Sequence, residues 1–188
     1  MNVYDFDQTI FYPDSSHYFC RFCLGKYPRL RAKVFPGAVS RGLGVLTKRR
    51  STGELKEQLF SFLNYIPDPD AEIEEFWQKY WGNIQPWYFE KQQPGDLIIS
   101  ASPDFLVRPA AERLGAELIA TPMDRHTGKI MGVNCHDEEK VRRFYQEYPG
   151  AQIDDFYSDS LHDSPLAALA KRAFIVKKCR LSPWPEIK

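Results

Sequence analysis

Two aspartates near the start of the chain directly follow a pair of hydrophobic residues. Val3 and Tyr4 suit a short buried strand, and Asp5, Asp7 and Thr9 would emerge where that strand ends. Ligands of open α/β sheets bind outside the carboxyl ends of the strands, and unpaired carboxylates are costly to bury. A hard cation with oxygen ligands would offset that cost, and one carboxylate could then attack an electrophile while the other transfers protons. Taken alone, the pair also fits a solvated turn, so its interpretation depends on the rest of the chain.

The bulk composition excludes several classes of protein. The chain has 188 residues, which fits one domain or a core with an inserted subdomain. Basic and acidic residues number 25 each, so the chain lacks the basic excess that nucleic-acid or membrane-surface binding would need. No apolar run approaches the roughly 18 residues of a membrane span, and no basic segment followed by an apolar core opens the sequence. We therefore expect a cytoplasmic protein with no nucleic-acid or membrane partner.

The cysteines raise the alternative of a metal or redox site. Cys20 and Cys23 form a Cys-x-x-Cys pair, but Cys135 and Cys179 are far apart in the sequence, whereas a zinc site would need a second close pair. A thioredoxin-like motif would open a helix, and this pair lies in the middle of an apolar-rich helical pattern. We expect buried, reduced thiols.

The chain changes character after its first strand and again near residue 93. From 14 to 92 the hydrophobic pattern is helical, with breaks at prolines and glycines and no convincing strand. We predict strands at 97–99, 117–120, 153–157 and 173–176, helices at 103–114, 137–148 and 165–170, and a hairpin around 127–129. Short apolar strands are typical of a parallel sheet buried on both faces. The sequence therefore predicts an α/β core whose first strand is separated from the rest by a helical insertion.

Further polar residues follow the predicted strands of this core. Ser100 comes after the strand at 97–99, at the predicted start of a helix, where its hydroxyl and nearby N–H groups could hold an anionic oxygen. A simple helix N-cap is the alternative for this serine. Lys140 lies early in a helix, where a lysine is usually solvated. Asp159 and Asp163 follow the strand at 153–157 and would again point to the carboxyl edge of the sheet.

The order of these motifs is specific. Asp-x-Asp-x-Thr, a serine after a strand, a lysine, and Asp-x-x-x-Asp after a strand resemble the haloacid dehalogenase-like hydrolases across essentially the whole chain. Asp14-Ser15, the Ser-Ala-Ser-Pro at 100–103, and Thr-Gly-Lys-Ile-Met-Gly ahead of Glu139-Lys140 resemble the phosphoserine-phosphatase-like subgroup, which has a helical cap inserted between the first and second motifs.

The resemblance implies both an architecture and an activity. It implies a Rossmann-like, mostly parallel sheet with helices on both faces, formed by residues 1–13 and 93–188, and an all-helical cap formed by residues 14–92. It also implies a Mg²⁺-dependent phosphatase that hydrolyses a small phosphorylated metabolite through a covalent aspartyl-phosphate on Asp5. A phosphotransferase with the same intermediate, and a non-catalytic phospho-ligand-binding or signalling domain, are the alternatives. The physiological substrate and the choice between monomer and homodimer stay open.

Residues that match the family motifs take implied roles in catalysis and metal binding. Asp5 matches the nucleophile, and Asp7 matches the general acid/base. The Asp5 carboxylate, the Asp7 backbone carbonyl and Asp159 would form the Mg²⁺ site. Thr9 would steady the loop that carries the two aspartates.

Other matching residues would bind the phosphate. The Ser100 hydroxyl, the Ala101 backbone N–H and the Lys140 ammonium would hold and neutralise the transferring group. Asp163 would orient Lys140 or a metal-bound water. Asp14 and Ser102 are candidate substrate contacts, although Asp14 also fits a helix cap.

Two positions depart from the family pattern. Gln8 stands where glycine is common in the first motif, and Ser158 where glycine often precedes the first acid of the last motif. Neither supplies a required functional group, so we expect a working site with altered loop geometry.

The predicted cap leaves further alternatives open. Its aromatic residues between 76 and 89 form either the core of the cap or a wall around the substrate. The basic clusters at 29–33 and 48–50 are expected on solvated faces, with a second anionic group of the substrate as the alternative partner. His126, His136 and His162 are expected at the surface.

Overall fold

A computed structural model describes residues 1–31 and 51–185 of the chain. Its strands are β1 (Val3–Tyr4), β2 (Leu97–Pro103), β3 (Glu117–Thr121), β4 (Ile153–Ser158), β5 (Ala170–Lys177) and β6 (Arg180–Pro183). Its α-helices are α1 (Ser15–Lys26), α2 (Thr52–Phe60), α3 (Pro69–Tyr80), α4 (Pro86–Lys91), α5 (Asp104–Leu114), α6 (Glu138–Glu147) and α7 (Ser164–Ala167). Short 3₁₀ helices cover Ser61–Tyr65, Trp81–Asn83 and Leu161–Asp163.

The six strands form one sheet in the order β3-β2-β1-β4-β5-β6. The first five strands are parallel, and β6 pairs antiparallel with β5. The strand that opens the chain therefore lies at the centre of the sheet, between β2 and β4. This arrangement confirms the predicted mostly parallel α/β fold, and it brings the carboxyl ends of β1, β2 and β4 together.

Both faces of the sheet are buried, as the apolar strands predict. Tyr4 and Ile98 belong to a large aromatic-rich cluster on one face, and Val3 and Leu97 belong to a second cluster on the other. The second cluster is covered by α6 and α7, through residues such as Phe144. Side chains that alternate between the two faces of a strand produce this division.

The described helices between β1 and β2 pack on the first face. Tyr4 stacks edge-on against Tyr88 of α4 with ring centroids 5.0 Å apart, and the Trp77 indole of α3 donates a hydrogen bond of 2.8 Å to the Leu106 carbonyl of α5. One continuous hydrophobic cluster joins these helices to the sheet. The division into a core of residues 1–13 and 93–188 and a cap of residues 14–92 stays a prediction.

Local signals account for the helix starts in this segment. Asp14 caps α1 by accepting the His17 N–H at 2.8 Å. Ser51 and Glu54 form the reciprocal capping box that opens α2. None of the helices in the described ranges is long and apolar enough to cross a membrane.

The structure corrects several predicted boundaries. β2 runs to Pro103 and α5 begins at Asp104, so Ser100 lies within an extended segment and is not a helix N-cap. The pairing of β2 with β3 shifts register between Ile99 and Pro103, which explains why the simple alternation of the sequence missed this extension. The predicted hairpin is reduced to a single bridge between Met123 and Ile130.

The end of the chain also differs from prediction. The helix expected at 165–170 ends at Ala167, because β5 already begins at Ala170. The sequence pattern does not predict β6, which follows a tight turn at Lys178 and Cys179, both with positive φ.

The cysteine prediction is confirmed for three thiols and wrong for the fourth. Cys20, Cys23 and Cys135 are buried and free, and burial raises the pKa of all three, which keeps them protonated and unreactive. Cys179 is exposed because it occupies the turn before β6.

Candidate active site

A cavity of about 610 Å³ opens where β1, β2 and β4 end. Its lining includes the predicted residues Asp5, Asp7, Asp14, Ser100, Ala101, Ser102, Lys140, Asp159 and Asp163, together with Gln8, Ser16, Lys56, His136 and His162. A larger cavity of about 780 Å³ lies between α3 and α5 and contains none of the predicted site residues. The smaller cavity is therefore the candidate site, because it joins the motifs that the sequence singled out.

Lys140 connects two carboxylates at the floor of this cavity. Its ammonium donates hydrogen bonds to Asp5 Oδ1 at 2.7 Å and to Asp163 Oδ2 at 2.9 Å. All three side chains are nearly removed from solvent, at 12% exposure or less. Burial disfavours the charged ammonium, but the two carboxylates outweigh burial and raise the pKa of Lys140. Lys140 is therefore a buried cation, in contrast with the solvated lysine usual for an early helix position.

Asp5 lies in a strongly negative environment. Burial is the main cause that raises the pKa of this carboxyl to about 8, and the charges of Asp163 and Asp159 act in the same direction. Lys140 opposes the shift through its charge and its hydrogen bond. Additional positive charge near Asp5 would restore its ionised form.

Asp7 is held by contacts to both of its carboxylate oxygens. The Ser15 backbone N–H, at the start of α1, donates to Oδ1 at 2.5 Å, and the Ser102 hydroxyl donates to Oδ2. The Ser16 hydroxyl lies 2.7 Å from the Ser102 hydroxyl and extends this chain. Burial, followed by the charge of Asp14, raises the pKa of Asp7 to about 6, while the bonds from Ser102 and Ser15 limit the rise. A carboxyl with this pKa can both give and accept a proton near neutral pH.

The loop after β1 is locked by backbone geometry and by Thr9. Gln8 has φ +58, in the left-handed region that favours glycine, and its N–H donates to the Pro13 carbonyl at 2.8 Å. This conformation explains why glycine would suit the position physically. The fully buried Thr9 accepts a hydrogen bond of 2.9 Å from the Asp159 N–H, which ties the loop after β1 to the loop after β4.

The second departure from the family pattern introduces a contact. The buried Ser158 hydroxyl donates to Asp163 Oδ2 at 2.7 Å, the same oxygen that accepts from Lys140. A glycine could not make this bond. Ser158 therefore helps to fix the carboxylate that accepts a hydrogen bond from Lys140, and only its departure from the family pattern marked it in the sequence.

Two serines of β2, Ser100 and Ser102, also line the cavity. Ser100 is 1% exposed, and its hydroxyl oxygen accepts the Ser102 N–H at 3.0 Å. The Ala101 carbonyl accepts hydrogen bonds from the Thr121 hydroxyl and from Lys56 of α2. The N–H groups near Ser100 thus belong to an extended strand, because α5 begins further along the chain.

Oxygen donors and negative charge make the cavity suited to a cation. Five carboxylates and two lysine ammonium groups line it, and burial also raises the pKa of Asp159. The described residues contain no group of three or more His, Cys, Asp or Glu side chains arranged to hold a metal ion. The predicted site needs only two carboxylates, from Asp5 and Asp159, with the Asp7 carbonyl. These three donors are all oxygens, so they fit a hard divalent cation.

The aromatic stretch and the two basic clusters of the predicted cap contribute no described residue to the lining of this cavity. The seven aromatic residues between 76 and 89 contribute nothing to the lining of this cavity, and most of them are packed in the hydrophobic cluster against the sheet. Arg29 and Arg31 are exposed, as expected. The remaining basic residues of the two clusters, Lys33, Lys48, Arg49 and Arg50, lie outside the described residues.

Two histidines expected at the surface also border the cavity. His136 Nδ1 lies 2.8 Å from Asp137 Oδ2, and His162 Nδ1 lies 3.3 Å from the other oxygen of the same carboxylate. His162 remains largely exposed, whereas His126 borders the larger cavity. The sequence offered no signal for Lys56 or for the pairing of His162 with Asp137, because these contacts join segments that are distant in the sequence.

Sequence comparisons relate the chain to known proteins. The profile of the haloacid dehalogenase-like hydrolases matches residues 3–168. Protein CicA of Caulobacter vibrioides is 24% identical over 193 aligned residues, which cover 89% of this chain and 82% of CicA.

Solved structures show the same fold. A protein of unknown function from Bordetella pertussis Tohama I superimposes with a TM-score of 0.68 at 21% identity, over 92% of this chain and 87% of that one. A phosphoserine phosphohydrolase-like protein from Francisella tularensis superimposes with a TM-score of 0.52 at 15% identity, over 92% of this chain and 86% of that one. The profile match spans most of the chain and includes every motif that lines the cavity, so this protein belongs to the haloacid dehalogenase-like hydrolases.

Proposed function

We propose that the protein is a Mg²⁺-dependent phosphatase that hydrolyses small phosphomonoesters through a covalent aspartyl-phosphate on Asp5. The observation that carries this proposal is the buried bridge from Lys140 to Asp5 and Asp163, beside the separately held carboxyl of Asp7. Two carboxyl groups in one cavity, one paired with a cation and one able to exchange protons near neutral pH, provide a nucleophile and an acid/base.

Asp5 is the nucleophile in this mechanism. Its Oδ1 is held by Lys140, which leaves the second oxygen to attack phosphorus in line with the leaving group. Lys140 also offsets the repulsion between the anionic nucleophile and the anionic phosphoryl group. Asp163, fixed by Ser158, keeps the ammonium in place during the reaction.

Asp7 transfers the protons. In the first step its protonated carboxyl gives a proton to the oxygen of the leaving alcohol as the bond from that oxygen to phosphorus breaks. In the second step the carboxylate takes a proton from water, whose oxygen attacks phosphorus and releases Asp5. The contacts from Ser15 and Ser102 hold the carboxyl in one orientation for both steps.

The phosphate oxygens are held by β2. Ser100, Ala101 and Lys140 line the cavity, and the Ser100 hydroxyl and the Ala101 N–H would donate to these oxygens. Asp5, Asp159 and the Asp7 carbonyl would hold Mg²⁺. The ion, when bound, supplies charge neutralisation and orients the phosphoryl group. A cavity of about 610 Å³ suits a small metabolite.

A hydrolysis assay tests the proposal. Purified protein is given an aryl phosphate with Mg²⁺ or with a chelator, beside Asp5→Asn and Asp7→Asn. We expect phosphate release only with Mg²⁺, none from Asp5→Asn, and a strong loss in Asp7→Asn. Equal rates for the wild type and Asp5→Asn would overturn the assignment. Adding an alcohol acceptor and comparing released aryl alcohol with inorganic phosphate separates hydrolysis from phosphoryl transfer.

A further inference from the structure

Lys56 of α2 enters the candidate site from the helical segment. It lines the same cavity as Asp5 and Lys140, and its side chain is partly buried. The ammonium donates hydrogen bonds to the Ala101 carbonyl of β2 and to the Asn134 side-chain oxygen. Both acceptors are neutral. An ammonium has three N–H donors, so these two contacts fix the group and leave the third donor for the cavity.

Lys56 differs from the other basic groups of the cavity in its contacts with carboxylates. Each of those groups has a carboxylate within 3.4 Å: Lys140 has Asp5, His17 has Asp14, and His136 and His162 share Asp137. Across residues 1–31 and 51–185, Lys56 is the basic group lining this cavity that contacts no carboxylate directly.

This arrangement is unfavourable in the absence of a ligand. Buried ammonium groups are normally paired, because removing their charge from water is costly. Burial lowers the pKa of Lys56 to about 8, although the charges of Asp7 and Asp14 act in the opposite direction. The group is still charged at neutral pH, so an anion in the cavity would relieve the cost.

We propose that Lys56 binds a second anionic group, a carboxylate or a phosphate, carried by the leaving group of the phosphomonoester substrate. This inference rests on the proposed phosphatase function and narrows its substrate class. Lys56 contacts the carbonyl of Ala101, whose N–H is assigned above to the phosphoryl group. Lys56 therefore contacts the same residue of β2 that is assigned to the phosphoryl group, which favours a short leaving group.

Substrates that share a two-carbon leaving group test the inference. The second carbon is a carboxylate in phosphoglycolate and a methyl group in ethyl phosphate, and it bears an ammonium in phosphoethanolamine and a second phosphate in ethylene glycol bisphosphate. For the wild type, kcat/KM should be about 10- to 100-fold higher for phosphoglycolate or the bisphosphate than for ethyl phosphate, the effect of one charge-assisted hydrogen bond. The better of these two identifies the anionic group. Phosphoethanolamine should be the poorest substrate.

Variants of Lys56 should remove this preference selectively. Lys56→Met should lower kcat/KM for the anionic substrates to the value for ethyl phosphate, and change the value for ethyl phosphate by less than about threefold. Lys56→Arg should keep part of the preference. Lys129→Met is the matched control, because Lys129 also contacts α2, through an ion pair of 3.0 Å with Glu57, but lies outside this cavity. It should keep the full preference.

Several outcomes would overturn the inference. An equal loss on all substrates in Lys56→Met would make Lys56 a structural tie between α2 and β2. If Lys56→Met does not fold, the wild-type preference and the Lys56→Arg variant decide. Turnover that depends on Asp5 but shows no preference for anionic leaving groups would refute the inference and leave the phosphatase proposal intact. Turnover that Asp5→Asn leaves unchanged would refute both.

Discussion

The contact between Gly128 and Phe60 provides a sharp test of how the helical segment packs against the core. Gly128 has φ +70, and a Cβ added there would lie 2.5 Å from the Phe60 carbonyl oxygen and 2.9 Å from the Phe60 Cβ. Gly115, after α5, has the same φ of +70, but a Cβ there would meet nothing within 4 Å. The two glycines therefore share a backbone conformation and differ in their surroundings.

The loss of stability expected when alanine replaces each glycine follows from these two observations. The left-handed conformation costs a non-glycine residue roughly 1–2 kcal/mol, and the smaller conformational freedom of unfolded alanine returns about 0.4–1 kcal/mol. Gly115→Ala should therefore destabilise the protein by about 1 kcal/mol. Overpacking adds roughly 1–3 kcal/mol, so Gly128→Ala should cost about 3 kcal/mol. In a domain of this size those costs correspond to falls in Tm of roughly 2–4 °C and 6–12 °C respectively.

Thermal and urea unfolding of the two variants measure this difference. Because Phe60 also lines the candidate site, Gly128→Ala should in addition raise KM for an aryl phosphate, whereas Gly115→Ala should leave KM unchanged. Equal destabilisation by the two substitutions would refute the close packing of the turn at Gly128 on the end of α2.

Three further predictions concern the candidate site. Lys140→Met should lower kcat for an aryl phosphate by at least about 100-fold, since it removes the cation bonded to Asp5; a loss below tenfold would contradict the role of Lys140. Ser102→Ala should raise the pKa of Asp7 above about 6, because it removes a bond that lowers that pKa, and a pH–rate profile whose Asp7-dependent limb does not move upward would contradict this. The third prediction concerns stability: burial lowers the pKa of Lys56 from 10.5 to about 8, so the unfolded chain binds more protons between these values and the folded state gains stability as pH rises. Relative to Lys56→Met, the wild-type free energy of unfolding should rise by up to about 3 kcal/mol over that pH range. A difference in free energy of unfolding between the two proteins that does not change with pH would refute the burial of this ammonium.

The sequence predicted those parts of the site that depend on strand ends and motif order. Asp5 and Asp159 follow strands that lie next to each other in the sheet, so their convergence is a consequence of parallel pairing. Lys140 was assigned only through the family resemblance, because an early helix position gives no physical reason to expect a buried cation. The structure provides that reason in the two carboxylates beside it.

Features that depend on distant packing were beyond sequence reasoning. Lys56 has the pattern of an exposed helix residue, and its burial results from acceptors 45 and 78 residues away, at Ala101 and Asn134. The sequence places Ser100 at a helix start, because the pattern of β2 gives no sign of the register shift that extends this strand. The hydrogen bond from Ser158 to Asp163 likewise depends on how the segment between these two residues folds.

Covalent trapping tests the central claim most directly. The Mg²⁺-loaded wild type would be mixed with a ³²P-labelled phosphomonoester, quenched in acid within the first turnover, digested and mapped. We predict an acid-stable, hydroxylamine-sensitive label on the peptide that contains Asp5, and no label on Asp5→Asn under the same conditions. Turnover of the substrate with no label on that peptide, or with label on another residue, would contradict the account.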